Sequence, residues 1–145
     1  MKRLLLLITI CISSISFGQV PDIDWEVSFG ASFSDGGECI RETADGGFII
    51  AGTTNDGQSN DYYIVRLNSQ GVVLWEKIYG GSSNDYAYSV DETLDGGYVI
   101  AGETSSNDGD ITLNYGASDY WILKLDSFGE LVWEKSFGGS QSDKA

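Results

Sequence analysis

Residues 75–132 read WEKIYGGSSNDYAYSVDETLDGGYVIAGETSSNDGDITLNYGASDYWILKLDSFGELV, and this stretch decides the fold because most of the remaining chain repeats it. Residues 25–74 carry the same words in the same order, and residues 133–145 begin them a third time with WEKSFGGSQSDKA. Self-similarity at a fixed period is typical of repeat architectures, in which each unit needs its neighbours to bury its faces. The chain from residue 25 onward therefore divides into repeats 25–74, 75–132 and 133–145.

Two shared words set the register of the repeats. ETADGGFIIAG at 42–52 returns as ETLDGGYVIAG at 92–102, an offset of 50 residues, whereas DYYIVRL at 61–67 returns as DYWILKL at 119–125, an offset of 58. The second copy therefore carries an insertion of eight residues between the two words. A period near fifty residues lies in the range of kelch-like and related propeller blades, so the sequence predicts small sheets that stack.

Each copy contains four candidate strands, which in the second copy lie at 75–79, 86–93, 98–101 and 120–125. The second candidate is interpreted as a simple alternation, with Ala87, Ser89 and Asp91 on one face and Tyr88, Val90 and Glu92 on the other. The third candidate is apolar at every position, which is typical of a strand covered on both faces. No segment after the N-terminal region has an apolar period of 3.6 residues, so the predicted fold class is all-β.

The turn residues predict how the strands connect. Asp45-Gly46 and Asp95-Gly96 suit tight hairpins, and Ser69-Gln70-Gly71 and Ser127-Phe128-Gly129 suit slightly longer hairpins closed by a glycine. These tight turns alternate along the chain with longer polar connections, such as residues 104–119. Alternate connections of an antiparallel meander emerge at the same end of the sheet, so we expect the long loops to share one end, where a binding function would lie.

The first 18 residues, MKRLLLLITICISSISFG, have the pattern of a secretory signal peptide. Lys2 and Arg3 form the charged region, an apolar run follows, and Ser16-Phe17-Gly18 supplies small residues for cleavage before Gln19. Cys11 suggests a lipoprotein as an alternative, but Ile10 stands where lipid attachment usually requires a small residue. We expect export without a membrane anchor, in a secreted or cell-surface protein. Cys39 is then the one remaining cysteine and is interpreted as a small buried residue.

Composition narrows the classes of partner. The 145 residues allow one modest domain, with 22 acidic residues against 8 basic ones, no histidine and a formal net charge of −14. This charge repels nucleic acid and anionic membranes, so we expect neither as a partner. Cations, sugars and basic proteins remain permitted. High solubility outside the cell also accounts for the charge.

The words DGGYVIAGETSSNDGD at 95–110, SDYWILKLDSFGELVWEKSFGGS at 118–140 and GGSSNDYAYSV at 80–90 resemble the repeat of secreted β-propeller proteins of Bacteroidetes-type bacteria. Such proteins are often cargo of the type-nine secretion system and carry a separate C-terminal sorting domain. The resemblance implies antiparallel four-stranded blades around a channel, here about two blades plus the first strand of a third. Because two blades and one strand do not close a propeller, we expect an N-terminal fragment with further repeats beyond residue 145.

Candidate binding residues lie in the long loops between the third and fourth candidate strands of each copy. They are the polar and aromatic residues Asn55, Asp56, Asn107, Asp108, Asp110, Asn114 and Tyr115. Asp108 and Asp110 are also candidate calcium ligands, since calcium binds several hard oxygen ligands in a compact loop. The alternative is a structural turn, because Asp and Asn side chains bond to nearby backbone in ordinary turns and the spacing lacks the EF-hand pattern.

Asp61 and Asp119 raise a second chemical hypothesis, a pair of carboxylates for glycoside hydrolysis. Both occupy the same slot in successive repeats, which favours a structural role at the start of a strand. Trp25, Trp75 and Trp133 also recur at one position, which favours packing between sheets over sugar stacking. No histidine base, paired-cysteine metal site or phosphate-binding glycine loop is present.

We expect an exported repeat module for extracellular or cell-surface binding or scaffolding, with a glycan or protein as partner. Two alternatives remain, part of a secreted glycan-active enzyme and a calcium-stabilised adhesin.

Overall fold

The computed structural model describes residues 24–30 and 33–143, and the predicted signal peptide at residues 1–18 lies outside them. The described residues form eight β-strands and no helix, so they contain no helix that could cross a membrane. The strands are β1 Asp35–Glu42, β2 Phe48–Asn55, β3 Asn60–Leu67, β4 Val73–Tyr79, β5 Asp85–Glu92, β6 Tyr98–Thr104, β7 Asp119–Leu125 and β8 Leu131–Phe137. They form two antiparallel sheets, sheet 1 in the order β1-β2-β3-β4 and sheet 2 in the order β5-β6-β7-β8. The all-β prediction is confirmed.

The tight turns form hairpins as the sequence indicated. Between β1 and β2, the carboxylate of Asp45 accepts hydrogen bonds from the Gly47 amide at 3.0 Å and the Thr43 hydroxyl at 2.7 Å. Gly46 has a φ of +79°, which a residue with a side chain rarely adopts. Between β3 and β4, the Asn68 side chain accepts from the Gln70 and Val72 amides at 2.9 Å each. These side-chain acceptors hold neighbouring strands antiparallel.

The sheets are offset from the sequence repeats. The tryptophan strand of the second repeat, β4, completes sheet 1, and the strand that contains Trp133, β8, completes sheet 2. We therefore correct the expectation that Trp133 begins a third blade. The physical reason is the short turn after β7, whose Asp126 carboxylate accepts the Phe128 and Glu130 amides and so returns the chain beside the same strand. Residues 24–30, the corresponding segment of the first repeat, are not part of either sheet.

The first strand of each sheet contains a β-bulge, which the simple alternation did not predict. The pairing of β5 with β6 shifts between Ala87 and Ser89, so Tyr88 is an extra residue. Ala87 and Val90 are consequently both buried although they are three residues apart, and Ser89 is exposed. The bulge brings the β5 backbone close to β6, where a methyl group on Gly102 would lie 1.9 Å from the Tyr86 carbonyl oxygen. The alternation predicted for residues 87–92 is therefore wrong beyond Tyr88.

One hydrophobic core lies between the two sheets. Its larger buried side chains are Ile49, Tyr62 and Ile64 from sheet 1 and Tyr98, Ile100, Trp121 and Leu123 from sheet 2. The repeat counterparts of the sheet 1 set are Val99, Tyr120 and Ile122, which alternate with the buried residues of β6 and β7 and so face the other side of sheet 2. Tyr62 is fully buried, whereas Tyr120 is 38% exposed. Sheet 1 thus contacts sheet 2 with the face that carries Ile49, Tyr62 and Ile64, whereas sheet 2 contacts sheet 1 with the opposite face of the repeat.

The remaining face of sheet 1 holds a smaller cluster of Tyr63, Val65 and Leu67, against which Phe29, Phe48 and Ile50 pack. The third candidate strand is therefore covered fully on one face only, since Phe48 and Ile50 in β2 and Val99 and Ala101 in β6 are half-buried.

Candidate functional site

The long connections gather at one end of the sheets, which we call the loop end. The Asn84 side-chain oxygen, between β4 and β5, accepts a hydrogen bond from the Asn60 amide at 3.0 Å. The Ser83 amide donates to the Ser106 hydroxyl, after β6, at 3.0 Å. Three connections of the chain therefore meet at this end, as the meander predicted. The tight turns lie at the opposite end, the turn end.

The insertion in the second copy is part of the loop between β6 and β7 and is anchored to the loop before β5. The Asp110 amide donates to the Gly80 carbonyl at 3.0 Å, and the Gly80 amide donates to the Asp110 carboxylate at 3.1 Å. The Asp108 carboxylate accepts from the Ser82 amide at 2.7 Å, and this bond lowers the pKa of Asp108. Ile111 is buried in the core between the sheets. Hydrogen bonds and an apolar anchor thus hold the first half of the loop in place.

The other predicted loop residues hold their own turns. Asn55 accepts from the Gly57 amide at 2.7 Å, and Asp56 accepts from the Gln58 and Ser59 amides, which lower the pKa of Asp56. Asn107 accepts from the Asn114 amide at 3.2 Å, and Asn114 accepts from the Gly116 amide at 3.0 Å. These four side chains act as backbone acceptors. Tyr115, by contrast, is 54% exposed and has no such role for its side chain.

Carboxylates lie beneath the loop end, and sequence reasoning singled out Asp61 and Asp119 among them but not Asp85. Asp85 is fully buried and accepts from the Thr104 hydroxyl at 2.5 Å, the Ser106 hydroxyl at 2.9 Å and the Gly81 amide at 2.9 Å. Burial raises the pKa of Asp85 despite these bonds. The signal for its position was present, because the aspartate recurs as Asp35, Asp85 and Asp143 after each glycine-serine turn.

Asp61 is a second carboxylate at this end whose pKa is raised. Burial, followed by the negative charges of Asp85, Asp56 and Asp110, raises the pKa of Asp61 to about 6. Its Oδ1 atom is buried and has no hydrogen-bond partner. A methyl group on Gly80 would lie 2.2 Å from this oxygen, so the glycine provides the space that the carboxylate occupies.

Asp119, the repeat counterpart of Asp61, is fully buried and accepts the Tyr115 amide at 2.5 Å. A substrate would have to displace the loop to reach it. The geometry favours the structural interpretation of both aspartates at the start of their strands over the catalytic one.

The structure does not collect the predicted calcium ligands into a cluster. Among residues 24–30 and 33–143, no three histidine, cysteine or acidic side chains come together in an arrangement that could hold a metal ion. Asp108 and Asp110 each use an oxygen to accept a backbone amide of the neighbouring loop. Calcium binding at these residues stays a prediction, which a calorimetric calcium titration would test.

A groove of about 500 Å³ runs between the insertion and the edge strand β8, and we call it the β8 groove. Thr112, Leu113 and Tyr115 form one side, and residues 134–138 form the other. The Glu134 carboxylate accepts from the Trp121 indole N–H at 2.9 Å and from the Thr112 amide at 3.2 Å. Sequence reasoning identified the insertion and a strand at Trp133, but it did not place that strand, β8, opposite the insertion. The available signal was Ser136, which replaces the Ile78 of the preceding repeat.

Comparison with known proteins adds no assignment to this geometry. No protein-family model matches the sequence, and no curated protein matches it.

Proposed function

We propose that the chain is an exported repeat module of the propeller type that serves extracellular or cell-surface binding or scaffolding. The observation that carries this proposal is a tryptophan contact that occurs twice, once between the two sheets and once between residues 24–30 and sheet 1. Trp75 of β4 packs against Tyr98 of the next sheet with ring centroids 5.8 Å apart, and its indole N–H donates to the Ser127 carbonyl. Trp25 packs in the same way against Phe48, the counterpart of Tyr98, at 5.6 Å.

Residues 24–30 thus occupy the place that a fourth strand of a preceding sheet would take. A methyl group on Gly71 would lie 2.5 Å from the Trp25 ring, and one on its counterpart Gly129 would lie 3.0 Å from the Trp75 ring. In a closed ring, this segment would complete the last sheet and join the two ends. The repeated contact supports a propeller over an isolated two-sheet sandwich.

The outer face of sheet 2 supports the same proposal from the other side. Trp133 and Phe137, the counterparts of the interface residues Trp75 and Tyr79, are 43% and 51% exposed. Interfaces that use opposite faces of one unit close into rings or continue as filaments. A further sheet of the same repeat fits this face because sheet 2 itself covers the corresponding face of sheet 1. The resemblance to secreted bacterial propeller repeats and type-nine cargo agrees with this arrangement.

The binding surface of the module is the loop end. The loops there differ in length between the copies, whereas the turn end has the same short hairpins in both. A rigid stack of sheets with length-variable loops at one end is the usual form of a binding scaffold. The backbone acceptors described above hold these loops in place before a partner arrives, which reduces the ordering cost of binding.

The experiment blocks one end of the molecule at a time. The mature chain, beginning at Gln19 and carrying Cys39→Ser to match Ser89 of the second copy, is given a single new cysteine at exposed Ser82 or exposed Ser127. Each variant is labelled with a bulky polymer and tested on arrays of glycans and cell-surface proteins. We expect a partner bound without turnover, lost on labelling at the loop end and retained on labelling at the turn end. Hydrolysis of a bound polysaccharide, or equal loss from both labels, would contradict the proposal.

A further inference from the structure

We propose that the β8 groove binds a saccharide that carries no negative charge, an inference that rests on the binding function proposed above. The wall that the insertion adds to this groove exists in one copy only. The corresponding surface of sheet 1 holds a groove of about 370 Å³ along Glu76, Lys77 and Ile78, which Gly30, Thr54 and Tyr63 line in place of an insertion. A wall confined to one copy is where an individual function of that copy belongs, because features needed for stacking recur in both.

The chemistry of the groove is amphipathic in the way a sugar requires. Tyr115 lines it as a half-exposed aromatic ring, which offers a flat apolar surface to the C–H face of a pyranose, and Leu113 beside it is 47% exposed. The Thr112 hydroxyl and the Glu134 carboxylate supply hydrogen-bonding groups beside them. A volume of about 500 Å³ lies within the range of about 300–1,000 Å³ typical of small-molecule sites.

Glu134 is held in position before any ligand arrives. Its two oxygens each accept one N–H, from Trp121 and from Thr112, which fixes the side chain between the sheet and the insertion. A carboxylate has about four lone-pair sites, so it retains capacity to accept hydrogen bonds from sugar hydroxyls. In sheet 1 the matching Glu76 is fixed by the Tyr63 hydroxyl at 2.6 Å but has no insertion opposite it.

Charge determines which saccharides fit. Glu134 and Lys135 both line the groove, so its own charges balance, and the chain as a whole has a formal charge of −14. The negative field of the whole chain is unfavourable to uronic acids and sulfated sugars. Neutral oligosaccharides and amino-sugar oligomers remain.

The test titrates the mature protein with neutral gluco-, manno-, galacto- and xylo-oligosaccharides, a chitosan oligomer and an oligogalacturonate by calorimetry. We expect at least one neutral or amino-sugar oligomer to bind and the oligogalacturonate not to bind. Tyr115→Ala and Glu134→Gln should each weaken binding by about tenfold, which corresponds to about 1.4 kcal/mol. The matched controls are Phe128→Ala, an exposed aromatic at the turn end, and Glu76→Gln, the same position in sheet 1. Both should bind as the parent does.

Circular dichroism and melting curves of every variant separate loss of binding from loss of folding. Absence of binding by all neutral and amino-sugar oligomers, preference for the acidic oligomer, or equal weakening in the controls would overturn the inference. Binding of a protein partner that only the loop-end label blocks, with no saccharide bound, would leave the proposed function standing while this inference fails. If neither experiment detects a bound partner, both the proposed function and this inference would be contradicted.

Discussion

The aspartates of the repeat are best understood as acceptors for the backbone that surrounds them. Asp45 and Asp95 accept amides in the tight turns, and Asp85 does so beneath the loop end. The turn aspartates could be predicted from sequence, because an Asp-Gly pair between two strands commonly forms a tight turn. The contacts of buried Asp85 could not, because one of its partners, Ser106, lies 21 positions away in the loop after β6.

Replacing Asp61 with asparagine should stabilise the protein near neutral pH. The folded state holds the pKa of Asp61 at about 6, above its usual value of 3.8, so the folded protein binds this proton more tightly than the unfolded chain. The protonated Asp61 side chain therefore contributes its full stabilisation of the fold below about pH 4, and this contribution is lost as the pH rises through about 6. We expect Asp61→Asn to raise the melting temperature at about pH 7.5 and to have little effect at about pH 4.5.

The control for this comparison is Asp24→Asn, which removes the same charge from an exposed position. Asp85 also has a raised pKa, so some pH dependence should remain in the variant. A melting temperature lowered at both pH values would show that the Asp61 carboxylate stabilises the fold, contrary to the expectation.

The strands and their order follow from the sequence more readily than the local irregularities within them. The repeat period, the turn residues and the apolar segments predicted the two sheets and the end of the sheets at which the long loops gather. The bulge in β5 was not predicted, because no particular residue type marks the extra residue of a bulge. Only the pairing of β5 with β6 shows which residue is extra. The contact between the insertion and β8 was likewise invisible, since it depends on how the loop folds back.

The insertion should depend on one apolar anchor. Ile111 is 4% exposed and lies in the core between the sheets, whereas its neighbour Leu113 is 47% exposed. We expect Ile111→Ala to lower the free energy of unfolding by about 2 kcal/mol or more, because it removes buried methyl groups and leaves a cavity. Leu113→Ala is the control and should change it by less than about 0.5 kcal/mol. Urea denaturation measures both, and equal effects would mean that the loop is not anchored in the core.

At the scale of the whole molecule, the described residues form two stacked sheets that contact each other through different faces of the repeat. The repeat pattern predicted stacking but placed the sheet boundaries one strand too early, because similarity between copies does not show where one sheet ends and the next begins. Trp25 and Trp75 could be predicted as packing residues, since they recur, and both pack against an aromatic ring of the following sheet. Which sheet Trp75 and Trp133 belong to depended on the hairpins that precede them.

The outer face of sheet 2 should make the isolated mature chain associate with itself. Tyr120, Trp133 and Phe137 are exposed there although their counterparts in sheet 1 are more deeply buried in the interface between the sheets. We expect sedimentation velocity to show concentration-dependent association, and Tyr120→Lys to weaken it because the lysine would place a charge on an apolar interface. Leu113→Lys, outside this face, is the control. A chain that stays monomeric at all concentrations would argue against a face that accepts another sheet.

Head-to-tail stacking also bears on how such a protein can change over generations. Because one face of the unit is complementary to its own opposite face, a tandem duplication of about fifty codons produces a sheet that already fits its neighbours. Copies can be gained or lost without a new interface having to arise. The loops then diverge independently, so an insertion such as that between β6 and β7 can acquire a role in one copy while the shared interface stays under a single constraint.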